Sequence, residues 1–304
     1  MCAMPPVSST VPVTVGVVGV GTMGLPVVGN LVRAGFRVLG HRRSAMPAEF
    51  DALGAGSTAS PAELASACDV VLVLLPGPEA LLSVALGADG LVDGAHPGLV
   101  VVEMGTMPLD TKERCREALA VRGTTVLDAP ISGMPAMVTA RTASIFASGD
   151  EAAFAVVRPV LDCLAGRVHH LGPFGAGSQT KFVAQLLLSV NTLAAAEALA
   201  LARRAGLDLD RLLDVLSGTI AGSAALSARG SRMIRGPHQP APGPVATLQE
   251  GLEEVWAFAG RLKANTPLLD LALRMYGDAL AGGHGDDDLS VMLDVLDPGG
   301  PPTR

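Results

Sequence analysis

The chain has 304 residues, long for one core and enough for two domains. Its formal charge is −7 and no basic run stands out, which argues against nucleic acid or an anionic membrane surface as a partner. Only 17% of residues are charged against 49% hydrophobic, so some apolar surface is expected to be buried between subunits.

The N-terminal "MCAMPPVSSTVP" has no basic segment and two early prolines, a poor signal peptide. Val13 to Val32 carries no charge, yet it holds five glycines and a proline and breaks into strand, turn and helix rather than a membrane span. "VTVGVVG" (Val13–Gly19) reads as a buried strand, Thr22 to Ala34 as a helix stopped by Gly35, and "FRVLGH" as a second strand. "PAELASACD" reads as a helix capped by Ser60, with Pro61 at its first position. There follow a strand at Val70–Pro76, a helix at Glu79–Leu86, a strand at Leu99–Glu103, a helix at Leu109–Arg122 and a strand at Thr125–Asp128. Further β-type stretches lie near Ala143–Ser148 and Val168–Leu171, with His169 and His170 ending the latter. Strands alternating with helices predict a parallel sheet covered on both faces.

After Gly172 the periodicity is helical, with a proline-rich loop at Arg235–Val245. The glycine-rich link "GPFGAGS" divides an α/β Rossmann-type domain, residues 11–174, from an all-α domain, residues 175–298, with residues 1–10 and 299–304 as flexible termini. Cys2, Cys68, Cys115 and Cys163 are scattered and show no metal-ligand spacing, as expected of reduced thiols in a cytoplasmic protein without a metal.

Gly19, Gly21 and Gly24 form GxGxxG between the first strand and the first helix. This pattern permits a tight turn, close approach of backbone to a pyrophosphate and a helix N-terminus facing the phosphates. Thr22 and Met23 complete that loop. About 20 residues on, an NAD enzyme carries an acid for the ribose. Here the second strand ends in His41, Arg42 and Arg43, and a guanidinium pairs with a 2′-phosphate, so NADP(H) is expected.

"LDAPISGMPA" follows the fifth strand and sets Ser132 and Gly133 at the carboxyl edge of the sheet, a natural carboxylate cradle. "SQTKFVAQLLLSVNTLAAAEALALA" is an almost wholly apolar helix with Lys181, Gln185, Ser189 and Thr192 on one stripe. Burial there would lower the lysine pKa and let it exchange a proton near neutrality; a lysine at a frayed helix start would snorkel to water instead. Asp286–Asp288 in "GHGDDD" fit a helix cap better than a metal site with His284, and for Trp256 and Phe258 core packing is expected ahead of a place on the substrate side of the cleft.

Together "VGVVGVGTMGLPVVGNLVRAGFRV", "VLLPGPEA", "VEMGTMP", "LDAPISGM", "GPFGAGSQTKFVAQ" and "AGGHGDDDLSVMLDVL" resemble the β-hydroxyacid dehydrogenase family over about Val13 to Leu296. The resemblance implies a Rossmann domain plus an all-helical domain around a long interdomain helix that usually builds a homodimer or larger assembly. It implies Lys181 as general acid and base, with Ser132, Gly133, Met134 and Gln185 at the substrate, a small carbonyl compound or hydroxyacid. Leu75, Pro76 and Thr106 would line the nicotinamide site, and Glu253 is counted with the cofactor residues. Four departures stand out. Gly105 replaces a usual serine, Met134 a glycine, Ala184 and Gln185 two asparagines, and Leu252 with Glu253 a Lys–Asp pair. An NADPH-dependent reductase of a small aldehyde or keto acid is the leading expectation. Lys181 argues against an imine reductase-like activity, and Lys181 with Ser132 argues against a non-catalytic NADPH-binding protein.

Overall fold

The computed structural model describes residues 13–299; Cys2 and the two expected flexible termini, Gly299 apart, lie outside them. Six parallel strands form the main sheet: β1 (Thr14–Val18), β2 (Arg37–His41), β3 (Gly56–Ser57), β4 (Val70–Val73), β5 (Val100–Glu103) and β6 (Thr125–Asp128), in the order β3-β2-β1-β4-β5-β6. Strands β1, β4 and β5 are buried at every position, which is why they read as unbroken β-branched runs rather than alternating ones. Their side chains divide by parity. Val70 and Leu72 join one core with Val27 and Leu31, whereas Val71 and Val73 join the other with Leu64 and Leu119. The helices Gly24–Arg33 and Glu151–Leu161 contribute to the first core, and Pro61–Ala67, Pro78–Leu86 and Leu109–Ala120 to the second.

A smaller sheet of β7 (Ile131–Ser132), β8 (Ser144–Ala147) and β9 (Arg167–His170) follows, with β7 antiparallel and β9 parallel to β8. A bridge between Asp128 and Ser148 joins the end of β6 to the end of β8.

Local signals behave as their chemistry requires. Ser60 Oγ accepts from Glu63 N at 3.1 Å, and Gly35, at φ +89°, ends the first helix. That helix begins at Gly24 rather than Thr22, because residues 21–23 form the turn itself. The short β3 and the helix Ala48–Ala52 carry too few residues to leave a periodic signal.

The chain divides into two compact units between Lys181 and Phe182. The second contains the helices Leu209–Ser217, Ala224–Arg235, Val245–Leu262, Pro267–Ala281 and Met292–Leu296. Asp288 accepts from Ser290 N at 3.0 Å and so caps the last helical segment. His238 ties the proline-rich loop down, with Nδ1 2.8 Å from Ser290 Oγ and Nε2 2.8 Å from Asp294. Phe258 packs on Phe182, ring centroids 5.2 Å apart. Trp256 departs from the expected core role. It is 53% exposed, and its Nε1 donates to Asp270 at 3.1 Å.

One described helix, Ala176–Arg204, is long and apolar enough to cross a membrane, and 44% of its most apolar 18-residue stretch is buried within the protein. Cys68, Cys115 and Cys163 are free and buried, and burial raises each thiol pKa.

Candidate active site

The order of the main sheet reverses between β1 and β4, so the crevice of a doubly wound fold lies at the carboxyl ends of these two strands. Gly19 leaves β1 at φ +91°, where a Cβ would stand 2.1 Å from Leu74 O; a Cβ on Gly24 would stand 2.2 Å from Gly19 O. Both glycines are therefore demanded by the turn. Gly21 differs, since a Cβ there would meet nothing within 4 Å. Its bareness leaves room beside the backbone at the start of the first helix. No side chain caps that helix at Met23, and no acid stands in its first turn. An uncapped positive helix end beside open backbone fits a pyrophosphate. Thr22 is exposed and Met23 half-buried.

Gly19 N donates to His41 O at 3.0 Å, linking the glycine turn to the end of β2. His41 Nδ1 lies 3.3 Å from Thr58 O, while Arg42 and Arg43 are exposed. Arg43 lines a shallow depression of about 480 Å³ with Pro76, Gly77, Glu79, Ala80 and Ser83. Leu75 and Thr106 are half-buried and Pro76 exposed. The family serine before Thr106 would crowd its neighbours here. A Cβ on Gly105 would lie 2.6 Å from Met107 Cε and 2.8 Å from Glu103 Oε1, which accepts from Gly105 N at 2.8 Å, so both side-chain ends would have to shift.

Beyond these loops, a buried polar cluster fixes the start of the long helix. Lys112 Nζ lies 2.5 Å from Glu103 Oε2 and 2.8 Å from Asp128 Oδ1, and it donates to Gly105 O at 2.7 Å and Ser178 Oγ at 2.9 Å. Asp128 accepts from Ser178 N at 2.8 Å, Ser178 Oγ at 2.7 Å and Ser148 Oγ at 3.1 Å. Ser148 Oγ accepts from Gly177 N at 2.9 Å. Gly177 is a glycine because a Cβ would lie 2.0 Å from Phe146 O. Burial alone would lower the Lys112 pKa, but the two carboxylates beside it raise it, so the ammonium stays charged. Burial raises the Glu103 pKa against the pull of Lys112. Sequence reasoning passed over this cluster. Its signal was present: apolar strands "VVVE" and "TVLD" ending in carboxylates at Glu103 and Asp128, with Lys112 on the helix between them.

One turn beyond Ser178 stands Lys181, half-buried. Burial alone lowers its pKa to about 8. The stripe continues with Gln185, 9% exposed, whose Oε1 has no hydrogen-bond partner among the described residues. Ser189 and Thr192 are structural: their hydroxyls donate back to Leu186 O at 2.9 Å and Leu188 O at 2.8 Å, and Tyr276 Oη donates to Ser189 O at 3.2 Å.

Ser132 pairs with Ser144 at the end of β7 and is half-buried, Gly133 is exposed and Met134 half-buried. A Cβ on Gly133 would lie 2.8 Å from Ala143 Cβ, so the loop passes close over β8. In the second unit Leu252 is fully buried and Glu253 exposed on the helix Val245–Leu262. Among the described residues no three His, Cys, Asp or Glu side chains converge as a metal set.

The NAD binding domain of 6-phosphogluconate dehydrogenase matches residues 14–172, and the NAD-binding domain of NADP-dependent 3-hydroxyisobutyrate dehydrogenase matches residues 175–296. The L-threonate dehydrogenase of Cupriavidus necator is 36% identical over 93% of this chain and 95% of its own length. The 2-hydroxy-3-oxopropionate reductase of Escherichia coli K12 is 30% identical over 93% and 96%. The crystal structure of a 3-hydroxyisobutyrate dehydrogenase from Salmonella typhimurium superposes with a TM-score of 0.82 at 32% identity, covering 93% of this chain and 99% of that one. A Streptomyces aurantiacus imine reductase, at 22% identity and a TM-score of 0.63, shares the fold only. A crevice at the β1/β4 switch point, built on a parallel sheet and followed by a helical unit, agrees with these matches: the chain belongs to the β-hydroxyacid dehydrogenases, NAD(P)-dependent oxidoreductases that act on CH–OH groups.

Proposed function

We propose that the protein is an NADPH-dependent enzyme interconverting a small hydroxyacid and its semialdehyde or keto form, with Lys181 as general acid and base. The observation that carries this is the lysine itself: an ammonium whose pKa burial lowers to about 8, one turn beyond a doubly anchored Ser178. A group titrating near neutrality serves both directions of the reaction.

The cofactor, when bound, supplies a hydride from C4 of the nicotinamide to the carbonyl carbon. Lys181 then gives its Nζ proton to the carbonyl oxygen, so the carbonyl becomes the alcohol and the ammonium becomes a neutral amine that solvent reprotonates. In the oxidative direction the neutral amine takes the hydroxyl proton, and the oxidised cofactor, when bound, would accept the hydride. The Ser132 hydroxyl and the Gly133 N–H hold the substrate carboxylate, and Gln185 meets a hydroxyl. Gly19, Gly21 and Gly24 with Thr22 and Met23 cradle the pyrophosphate, and Leu75, Pro76 and Thr106 border the nicotinamide. Support for NADPH over NADH comes from the exposed Arg42 and Arg43 and from the lack of an acid between His41 and Ser44. The threonate, serine and 2-hydroxy-3-oxopropionate named for some relatives carry more than one polar group besides the carboxylate, whereas the 3-hydroxyisobutyrate and succinic semialdehyde named for others carry one.

A cytoplasmic homodimer is part of the same proposal. Val183, Leu187 and Leu201 are 56%, 57% and 73% exposed on one face of the long helix, a stripe suited to a second copy. NADPH oxidation followed by absorbance across semialdehydes, 2-keto acids and cyclic imines tests the function. Turnover of the first two classes is expected, and turnover of imines alone would overturn it.

A further inference from the structure

Gln185 lies one turn past Lys181 on the same stripe of the long helix. Its side chain is 9% exposed, yet its Oε1 meets no donor among the described residues, whereas the hydroxyls of Ser189 and Thr192 farther along the stripe are satisfied within the helix. A buried acceptor without a donor costs free energy and is retained where something supplies the donor. Within the same unit, the carboxamide lies against Gly251 on the helix Val245–Leu262. A Cβ at position 251 would stand 2.2 Å from Gln185 Nε2, 3.1 Å from Cδ and 3.3 Å from Oε1. Glycine at this place is not asked for by the helix, where it is among the poorest formers. Its absent side chain is the space in which the amide sits.

Resting on the reading of Gln185 as a substrate-facing residue, we propose that Gly251 is a specificity-determining residue of this enzyme. Its missing Cβ seats the Gln185 carboxamide so that Oε1 is free to accept a hydrogen bond from a substrate hydroxyl. The partner this chemistry selects is a hydroxyacid bearing a hydroxyl beyond the one that is oxidised. An acid whose tail is a methyl group offers Oε1 nothing.

Substitution at 251 gives a clean test. The atoms in the way of a new Cβ are the end of a flexible side chain, so Gly251→Ala is expected to fold, and alanine is the better helix former. The amide, rather than the backbone, has to move. Steady-state oxidation of L-threonate and of 3-hydroxyisobutyrate with NADP+ is measured for the wild-type protein, Gly251→Ala, Gln185→Asn, Gln185→Ala and the Gln185→Asn/Gly251→Ala pair. NADP+ titration and thermal melts accompany it. Gly251→Ala is expected to lower kcat/KM for L-threonate at least tenfold and for 3-hydroxyisobutyrate less than threefold. NADP+ affinity and the melting temperature should hold. In the Gln185→Asn background, where the shorter amide leaves position 251 free, adding Gly251→Ala should change kcat/KM less than threefold. Equal losses on both acids, equal losses in both backgrounds, or no loss in Gly251→Ala would overturn the proposal. If Gln185→Ala leaves both activities intact, the substrate reading of Gln185 falls first. A wild-type protein that oxidises 3-hydroxyisobutyrate but not L-threonate, or neither acid, would overturn this inference, while the proposed function stands or falls on NADPH oxidation across the semialdehyde and keto-acid panel.

Discussion

Asp128 holds Ser178 at two points: Oδ2 accepts from the Ser178 amide at 2.8 Å and Oδ1 from the Ser178 hydroxyl at 2.7 Å. The carboxylate that ends β6 thus grips the first turn of the helix that carries Lys181 three residues later. Lys112 closes the arrangement, with contacts to Asp128 Oδ1 and Ser178 Oγ at 2.8 and 2.9 Å. The lysine is consequently placed by buried, charge-assisted bonds rather than by a frayed helix end.

Loss of that grip should cost both stability and turnover. Asp128→Ala leaves Lys112 buried with one carboxylate fewer, an expected loss of about 3–5 kcal/mol. Ser178→Ala is milder, about 1–3 kcal/mol. In the milder variant kcat is expected to fall about 10- to 100-fold through misplacement of Lys181, with NADPH affinity kept. Urea unfolding followed by fluorescence, together with steady-state kinetics, measures both.

The pH dependence follows from the Lys181 pKa of about 8. Carbonyl reduction needs the ammonium, so its kcat/KM should fall as pH rises through about 8. Alcohol oxidation needs the free amine and should rise through the same range. Profiles of both directions in one buffer series check this, and two profiles bending the same way would refute the acid–base assignment.

Stability should move with pH in a definite sense. Lys181 has its folded pKa lowered from 10.5 to about 8, so between these values the unfolded chain binds more protons than the folded one. Stability from this group therefore rises as pH climbs from about 8 to about 10.5, and below that window the buried charge is a cost. Lys181→Met should accordingly raise stability at pH 7 by about 1–3 kcal/mol while abolishing turnover. Urea midpoints at pH 7 and pH 10 would show the gain shrinking at the higher pH.

The glycine turn separates ligand space from backbone necessity. Gly24→Ala forces a Cβ to 2.2 Å of Gly19 O and should destabilise the first unit, whereas Gly21→Ala meets nothing within 4 Å and should fold normally. If the open flank of Gly21 is where the pyrophosphate approaches, Gly21→Ala weakens NADPH binding at least tenfold without lowering the melting temperature. Arg42→Ala/Arg43→Ala should weaken NADPH about 10- to 100-fold and leave NADH nearly unchanged. Fluorescence titration with each dinucleotide reads these outcomes.

Much of this architecture is legible in the sequence because its signals are local. Strands such as "VVLV" at Val70–Val73 are buried on both faces and so read as unbroken apolar runs, and Ser60 and Gly35 mark helix ends by their own chemistry. The order GxGxxG, "DAPISG", Lys181 is visible for the same reason. The anchor of Lys181 is less so, since Glu103, Lys112, Asp128 and Ser178 meet only through the sheet, Lys112 and Ser178 being 66 residues apart. Gly251 was invisible for a similar reason. A glycine inside a helix reads as a weak point, and only the fold brings the Gln185 carboxamide into the space beside it. Trp256 illustrates the opposite error, since aromaticity predicts burial on average and says nothing about which face of a helix a residue occupies.

The most direct measurement is single-turnover NADPH oxidation by Lys181→Ala against wild-type protein, with NADPH affinity determined on the same samples by fluorescence. With a semialdehyde that the wild type reduces, the variant is expected to bind NADPH within about threefold of wild type and to lose at least about 10²–10⁴ in rate. Turnover at the wild-type rate with affinity intact would contradict the assignment of Lys181 as the proton donor.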